Sequence, residues 1–200
     1  ETYLEMAIYY VNLGLEDDAL RLLELAPEQA TIRYWQAYLL REKSPARSRQ
    51  VLGQAAALSP YLVFPYREES IPVFQWADQA LPGSWKAKYY LGLIYWGLRR
   101  QEETLKLLTQ CGNQPDYAPA YICRAYLQRE SNPKQALADY EKAHAVGPDD
   151  WRNWHHLARY CSEQALQDKA VKLAEEAFRR FPNEDLIRIL LARTYLNNGR

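Results

Sequence analysis

Residues 154–182 of the chain are WHHLARYCSEQALQDKAVKLAEEAFRRFP, and this stretch decides the fold. Its small and large apolar residues follow the spacing W-x2-L-A-x2-C-x8-A-x3-A-x2-A-x4-P, from Trp154 to Pro182. The pattern restarts 34 residues later with Leu191, Ala192 and Tyr195. A fixed period of this length is typical of arrays in which each unit packs only against its neighbours.

The spacing resembles the tetratricopeptide repeat, a helix–turn–helix unit that stacks into a solenoid. Its most specific match is Leu91-Gly92-x-x-Tyr95, and the resemblance covers most of the chain. It implies an all-α fold, a right-handed α-solenoid of about twelve helices. Solenoids present extended binding surfaces, so the resemblance also implies a binding scaffold rather than a catalyst.

We expect three segments along the chain. Residues 1–60 hold two divergent repeats, and Pro27 ends the second helix of the first repeat early. Residues 61–83 lose the period and form an irregular strap followed by a lone helix. Residues 84–200 hold three repeats and the first helix of a further one.

The strap sequence Tyr-Leu-Val-Phe-Pro-Tyr at 61–66 predicts an extended connection, because Pro65 prevents a regular helix. Ser70 is predicted to cap the helix that follows, with Pro72 in its first turn. One interpretation is that this helix packs as half a repeat. The alternative is that the strap crosses the binding groove or docks a neighbouring domain.

Composition excludes several classes of partner. The chain has 25 Lys plus Arg and 25 Asp plus Glu, so no long-range field favours nucleic acid or an anionic membrane. The longest apolar stretch, residues 89–98, is too short to span a bilayer. We therefore expect a protein or peptide partner, with no nucleic acid and no membrane.

Catalytic and metal-binding signatures are absent from the sequence. Cys111, Cys123 and Cys161 lie far apart, so they indicate neither a zinc site nor a disulfide framework. His155 and His156 are adjacent and therefore point about 100° apart on a helix, unlike the i, i+4 pair of a zinc helix. No nucleotide-binding or nucleophile motif occurs, so we expect no catalytic residues, no metal and no cofactor.

The resemblance also implies candidate binding residues. In this family the groove is lined by first helices, at the positions one and five residues after the tryptophan site and about three further on. In the second to fifth repeats these positions hold Tyr34, Tyr38 and Arg41, then Tyr89, Leu93 and Trp96, then Ile122, Tyr126 and Arg129, then His155, Arg159 and Ser162. Such aromatic rings and arginines would bind a peptide by stacking and carboxylate pairing. The alternative for each ring is packing within the protein.

One subclass of the family holds a C-terminal carboxylate with Lys and Asn at fixed groove positions. Here those positions hold residues such as Tyr34 and Tyr38, or His155 and Arg159. The resemblance therefore does not imply a receptor for chaperone tails.

Two functions follow. The first is a non-catalytic protein–protein interaction scaffold that binds a peptide or partner domain in its groove. The alternative is a structural appendage that braces or oligomerises a larger bacterial protein, such as an enzyme or a carbohydrate-processing protein. In support, residues 62–67 and Trp76-Ala77 resemble the repeat tails of large bacterial proteins whose first half is a β-rich domain.

The ends of the sequence bear on that alternative. The first residue is not methionine, and residue 200 lies just after the first helix of a repeat, so we expect a segment of a longer protein. It contains no targeting signal, and the localisation stays open. Residues 186–191 are apolar on more than one face, so the appendage hypothesis predicts self-association through the last helix.

Overall fold

The structure is a computed structural model that describes residues 2–199, and this part of the chain contains α-helices and no strands. The helices are α1 Thr2–Asn12, α2 Glu16–Glu24, α3 Ala30–Leu40, α4 Pro45–Ala57, α5 Ile71–Ala80, α6 Trp85–Gly97, α7 Gln101–Gln110, α8 Ala118–Gln128, α9 Pro133–Val146, α10 Trp151–Glu163, α11 Gln167–Arg180 and α12 Asp185–Asn197. A single 3₁₀ turn, Glu68–Ser70, precedes α5. The all-α prediction and the expected number of helices are confirmed.

The chain divides into two compact units. The first ends at Gln114 and contains α1 to α7, and the second begins at Pro115 and contains α8 to α12. This division falls inside the segment predicted at residues 84–200. Compactness depends on contacts between helices, whereas the predicted segments follow the repeat pattern.

The second unit packs as alternating small and large residues, as the repeat spacing predicts. Ala125, Ala136 and Ala170 are completely buried, which lets α8, α9, α10 and α11 approach closely. Tyr140 and Tyr160 fill the space beside them, with ring centroids 4.9 Å apart.

In the first unit, the lone helix α5 packs against α3 and α6. Phe74 is completely buried, and its ring centroid lies 5.2 Å from that of Tyr34 and 5.5 Å from that of Tyr90. Ser70 is the N-cap residue of α5 and Pro72 lies in the first turn, as predicted, but the Ser70 side chain makes no cap hydrogen bond. Its hydroxyl instead accepts a hydrogen bond from Trp35 Nε1 at 2.9 Å, which ties the start of α5 to α3.

The strap has no regular secondary structure at residues 63–67, where Arg67 is extended, and it lies against α1. Arg67 forms an ion pair with Glu5, and the Tyr66 hydroxyl donates to Glu5 Oε1 at 3.4 Å. Leu62 adopts a left-handed backbone conformation with φ 58°. Within its own unit the strap therefore contacts the first helix. That it crosses a binding groove or docks a neighbouring domain stays a prediction.

The turns before α2, α7 and α11 each contain one left-handed residue, two positions before the helix. Gly14 takes this role before α2, but Arg99 before α7 and Ala165 before α11 have φ of 61° and 58°. Left-handed conformations cost a non-glycine residue about 1–2 kcal/mol. These turns therefore carry strain that glycine would remove.

We predict that Ala165→Gly stabilises the protein by about 0.5–1 kcal/mol, because relief of this strain exceeds the entropy that glycine adds to the unfolded chain. Ala192→Gly, at an exposed site inside α12, should instead destabilise by about 1 kcal/mol. Urea unfolding measures both changes. A loss of stability in Ala165→Gly would show that the turn is not strained.

Candidate functional site

Two of the predicted binding residues in the first unit belong to its core. Tyr34 and Tyr89 are each only 1 % exposed, so the expectation that these rings face a ligand is wrong. Helix α5 covers Tyr34 through Phe74, and the Tyr89 ring packs edge-on against Trp85 with centroids 5.6 Å apart. Packing within the protein, the alternative for these rings, is what the structure shows.

The other predicted residues of the first unit are half-buried. Arg41 lies over the Tyr38 ring at 3.7 Å and donates to the Tyr38 carbonyl at 2.7 Å. The Tyr38 ring also lies 5.8 Å from that of Trp76. Leu93 and Trp96 are both half-buried. Their role in binding stays a prediction.

In the second unit, three predicted residues come together in one cleft. We call it the α8–α10 cleft; it has a volume of about 260 Å³ and is lined by Tyr126, Arg129, Tyr140, His156, Arg159, Tyr160 and Glu163. Tyr126, Arg129 and Arg159 are the predicted members. Ile122, predicted nearby, instead packs against the core clusters of this unit.

Hydrogen bonds and ring contacts hold the α8–α10 cleft in shape. The Tyr160 hydroxyl donates to the carbonyl oxygens of Arg129 and Pro133 at 3.3 and 3.2 Å, which fixes α10 against the turn after α8. The Arg129 guanidinium lies over the Tyr126 ring at 4.0 Å. A hydrogen bond with the Tyr126 hydroxyl raises the pKa of Arg129. The cleft therefore presents a positioned cation beside an aromatic ring.

The second cation of this cleft is only weakly engaged. Arg159 Nε donates to Glu163 Oε1 at 2.8 Å, but both side chains are largely exposed. Exposed pairs four residues apart on a helix contribute about 0.3–0.5 kcal/mol. A ligand carboxylate can therefore replace Glu163 as the partner of Arg159 at small cost. Burial raises the pKa of Tyr140 to about 12, so its hydroxyl is a neutral donor near pH 7.

A second cleft, which we call the α10–α12 cleft, lies on the other side of Arg159. It has a volume of about 290 Å³ and is lined by His155, Arg159, Ser162, Glu163, Leu186, Ile189, Leu190, Arg193, Thr194 and Asn197. The predicted residues His155, Arg159 and Ser162 are therefore neighbours here. Arg159 lines both clefts, so the two can hold one continuous ligand.

Sequence reasoning missed several residues of these clefts. Arg193 lies 34 residues after Arg159, so extending the groove positions by one more period would have found it. Tyr140 comes from a second helix, to which a rule about first helices does not apply. His156 lines the α8–α10 cleft and His155 the α10–α12 cleft, because neighbouring helical residues face different directions.

Metal and thiol chemistry receive no support from residues 2–199. This part of the chain contains no group of three or more His, Cys, Asp or Glu side chains that could hold a metal ion. The three cysteines are free thiols, and burial raises the pKa of Cys123 to about 12, which keeps it protonated. Among the same residues, no helix is both long and apolar enough to cross a membrane.

All three histidines lie in the second unit, and burial lowers the pKa of each. An unfolded chain takes up protons on histidine near pH 6.5, before these folded side chains do. Stability present above about pH 6.5 is therefore lost as the pH falls through the lower pKa values of the folded state. The first unit has no histidine and lacks this contribution.

We accordingly predict that the second unit loses stability as the pH falls below about 6.5, and that His144→Phe reduces this loss. His144 packs edge-on against Trp154 with ring centroids 4.2 Å apart, and its Nε2 is buried with no hydrogen-bond partner among the described residues. Hydrogen exchange at several pH values measures the stability of each unit. Equal acid sensitivity in the two units would contradict the prediction.

Comparisons with known proteins agree with this architecture. Residues 151–194 match the family profile described as tetratricopeptide repeat. A thermophilic TPR protein from Thermus thermophilus is 20 % identical, with TM-score 0.53 and 98 % of each chain covered. A tetratricopeptide repeat protein from Parabacteroides merdae is 15 % identical, with TM-score 0.53, 99 % of this chain and 73 % of that chain covered.

MamA from Desulfovibrio magneticus, from its residue 41 onward, is 15 % identical with TM-score 0.50, and the match covers 92 % of this chain and 96 % of that chain. At these identities the likeness concerns the fold alone. Comparison with curated protein sequences gives no significant match.

Proposed function

We propose that the chain, whose residues 151–194 match the tetratricopeptide repeat profile, is a non-catalytic protein–protein interaction scaffold that binds a peptide segment in the clefts of its second unit. Proteins with these repeats generally act as scaffolds that bind other proteins. The observation that carries the proposal is the position of Arg159, which lines both clefts. Arg129 at the end of α8 adds a cation to the first cleft, and Arg193 on α12 adds one to the second.

The clefts combine the contacts that peptide recognition uses. Arginine pairs with carboxylates through bidentate hydrogen bonds, and the tyrosine rings offer stacking surfaces at low entropic cost. The α10–α12 cleft adds an apolar part, where Leu186 and Ile189 are nearly half exposed. An extended segment with acidic and apolar side chains would satisfy all three kinds of contact.

We expect Arg159→Glu to abolish selection of peptides from a displayed library of random peptides, because it replaces the cation that lines both clefts with a second carboxylate beside Glu163. Lys172→Glu makes the same change at an exposed site on α11, outside both clefts, and should keep the selected peptides. Thermal unfolding of both variants checks that the fold is retained. If Arg159→Glu selects the same peptides as the wild type, the clefts are not the binding site.

A second candidate function is self-association or bracing through α12. Leu186, Ile189 and Leu196 are 49 %, 46 % and 74 % exposed on this helix. An exposed apolar helix face favours contact with another surface. Sedimentation equilibrium at increasing concentration tests this candidate, and a strict monomer throughout would argue against it.

A further inference from the structure

His156 occupies an unusual place for a titratable group, since it lies inside the cationic α8–α10 cleft. Its ring is half-buried and stacks almost parallel on Tyr140, with centroids 6.2 Å apart and an interplanar angle of 9°. Arg159 follows on the next turn of the same helix, and Arg129 at the end of α8 lines the same cleft. The histidine therefore shares this cleft with two arginines and stacks on a tyrosine ring.

The charged and titratable groups around His156 come from three helices. Helix α8 contributes the Tyr126 hydroxyl and, at its C-terminal end, Arg129, and α9 contributes the Tyr140 hydroxyl. The remainder belong to α10 and its N-cap: His155, Arg159, Tyr160, Glu163 and Asp150. Burial, followed by the charges of His155 and Arg159, lowers the pKa of His156. The side chain is therefore neutral near pH 7 while the cleft is empty.

We infer that the peptide segment recognised by these clefts is acidic, and that its binding causes His156 to take up a proton from solution. This inference rests on the proposed function. A ligand carboxylate that pairs with Arg159 neutralises a cation that disfavours protonation of His156. The same carboxylate can accept a hydrogen bond from the imidazolium. An opposite charge within about 4–6 Å favours the charged form of a side chain and would raise the pKa of a histidine by about 1–3 units.

Proton uptake makes the affinity depend on pH. If binding raises the pKa of His156 by one unit, the affinity increases up to about tenfold at pH values low enough for His156 to be protonated in the complex. Glutamate side chains have an ordinary pKa of about 4.3, so the ligand stays ionised at about pH 5.5. We therefore expect acidic peptides to bind about three- to tenfold more tightly at pH 5.5 than at pH 7.5.

The helix packing suggests how the acidic residues are spaced. Helices α10 and α12 are in contact, and packed helices lie about 8–10 Å apart. An extended chain advances about 3.3 Å per residue, so a step from Arg159 to Arg193 corresponds to about three residues. The probe is therefore a fluorescent peptide of about twelve residues with glutamate at every third position and leucine or serine between. Its matched control has glutamine in place of every glutamate.

Fluorescence anisotropy at pH 7.5, 6.5 and 5.5 gives the affinities, with circular dichroism verifying the fold at each pH. His156→Gln should remove the pH dependence. His144→Gln should retain it, because His144 lines neither cleft. Histidine C2–H resonances of the wild type, titrated with and without peptide, provide a measurement that needs no variant. The resonance of His156 should titrate at a higher pH when the acidic peptide is bound.

The outcomes separate this inference from the function on which it rests. Tighter binding at low pH that His156→Gln abolishes supports proton uptake. Equal affinity at all three pH values, or an unchanged pH dependence in His156→Gln, overturns it and leaves peptide binding intact. Equal binding of the glutamine peptide refutes an acidic ligand. Failure of both peptides to bind, together with failure of library selection, contradicts the proposed function itself.

Discussion

Replacement of Asp139 by alanine should lower the free energy of unfolding by about 3–5 kcal/mol. Asp139 on α9 and Arg124 on α8 are 3 % and 8 % exposed. Arg124 Nε and Nη2 donate to the two carboxylate oxygens at 2.8 and 2.6 Å, and Gln128 Nε2 donates at 2.6 Å. Removing the carboxylate leaves a buried guanidinium without its counter-charge, which accounts for the expected size of the effect.

Glu141→Ala is the matched control, because Glu141 lies on the same helix and pairs with Lys169 at the surface. Its loss should cost less than about 1 kcal/mol. Urea unfolding at pH 7 measures both variants. A third variant, Arg124→Leu with Asp139→Leu, should recover much of the stability since no charge is left unpaired. Similar values for Asp139→Ala and Glu141→Ala would show that the buried pair is not critical.

Phe74→Ala should destabilise the first unit by about 3–5 kcal/mol, because the ring is completely buried and its loss leaves a cavity. The Tyr34 and Tyr90 rings on α3 and α6 both pack against it. Since these helices lie on either side of α5 in the chain, the variant tests whether the helix outside the repeat pattern is an integral part of the core.

Gln79→Ala, at an exposed site on the same helix, is the control and should change stability by less than about 0.5 kcal/mol. Hydrogen exchange localises the effect. Amides of α3 and α6 should lose protection in Phe74→Ala along with those of α5. Loss confined to α5 would mean that this helix is merely attached to the surface.

The residues predicted from the groove positions are brought together in the second unit but not in the first. Tyr126, Arg129 and Arg159, whose role in binding stays a prediction, line one cleft. Tyr34 and Tyr89 do not, because the positions assume regular repeats on both sides, and α5 lies between the helices that hold these two residues. Where α5 replaces a repeat, it covers one ring, and the other turns into the core.

The sequence by itself determined where helices begin and end and which faces contain the small residues. These properties are local: proline and glycine end helices, and the spacing of apolar residues selects the buried face within a few turns. Only the tertiary structure decided which aromatic rings are exposed, and that Tyr140 and His156 join Arg129 and Arg159 in one cleft. Those side chains come from three helices, and their proximity depends on how the helices pack rather than on any spacing along the chain.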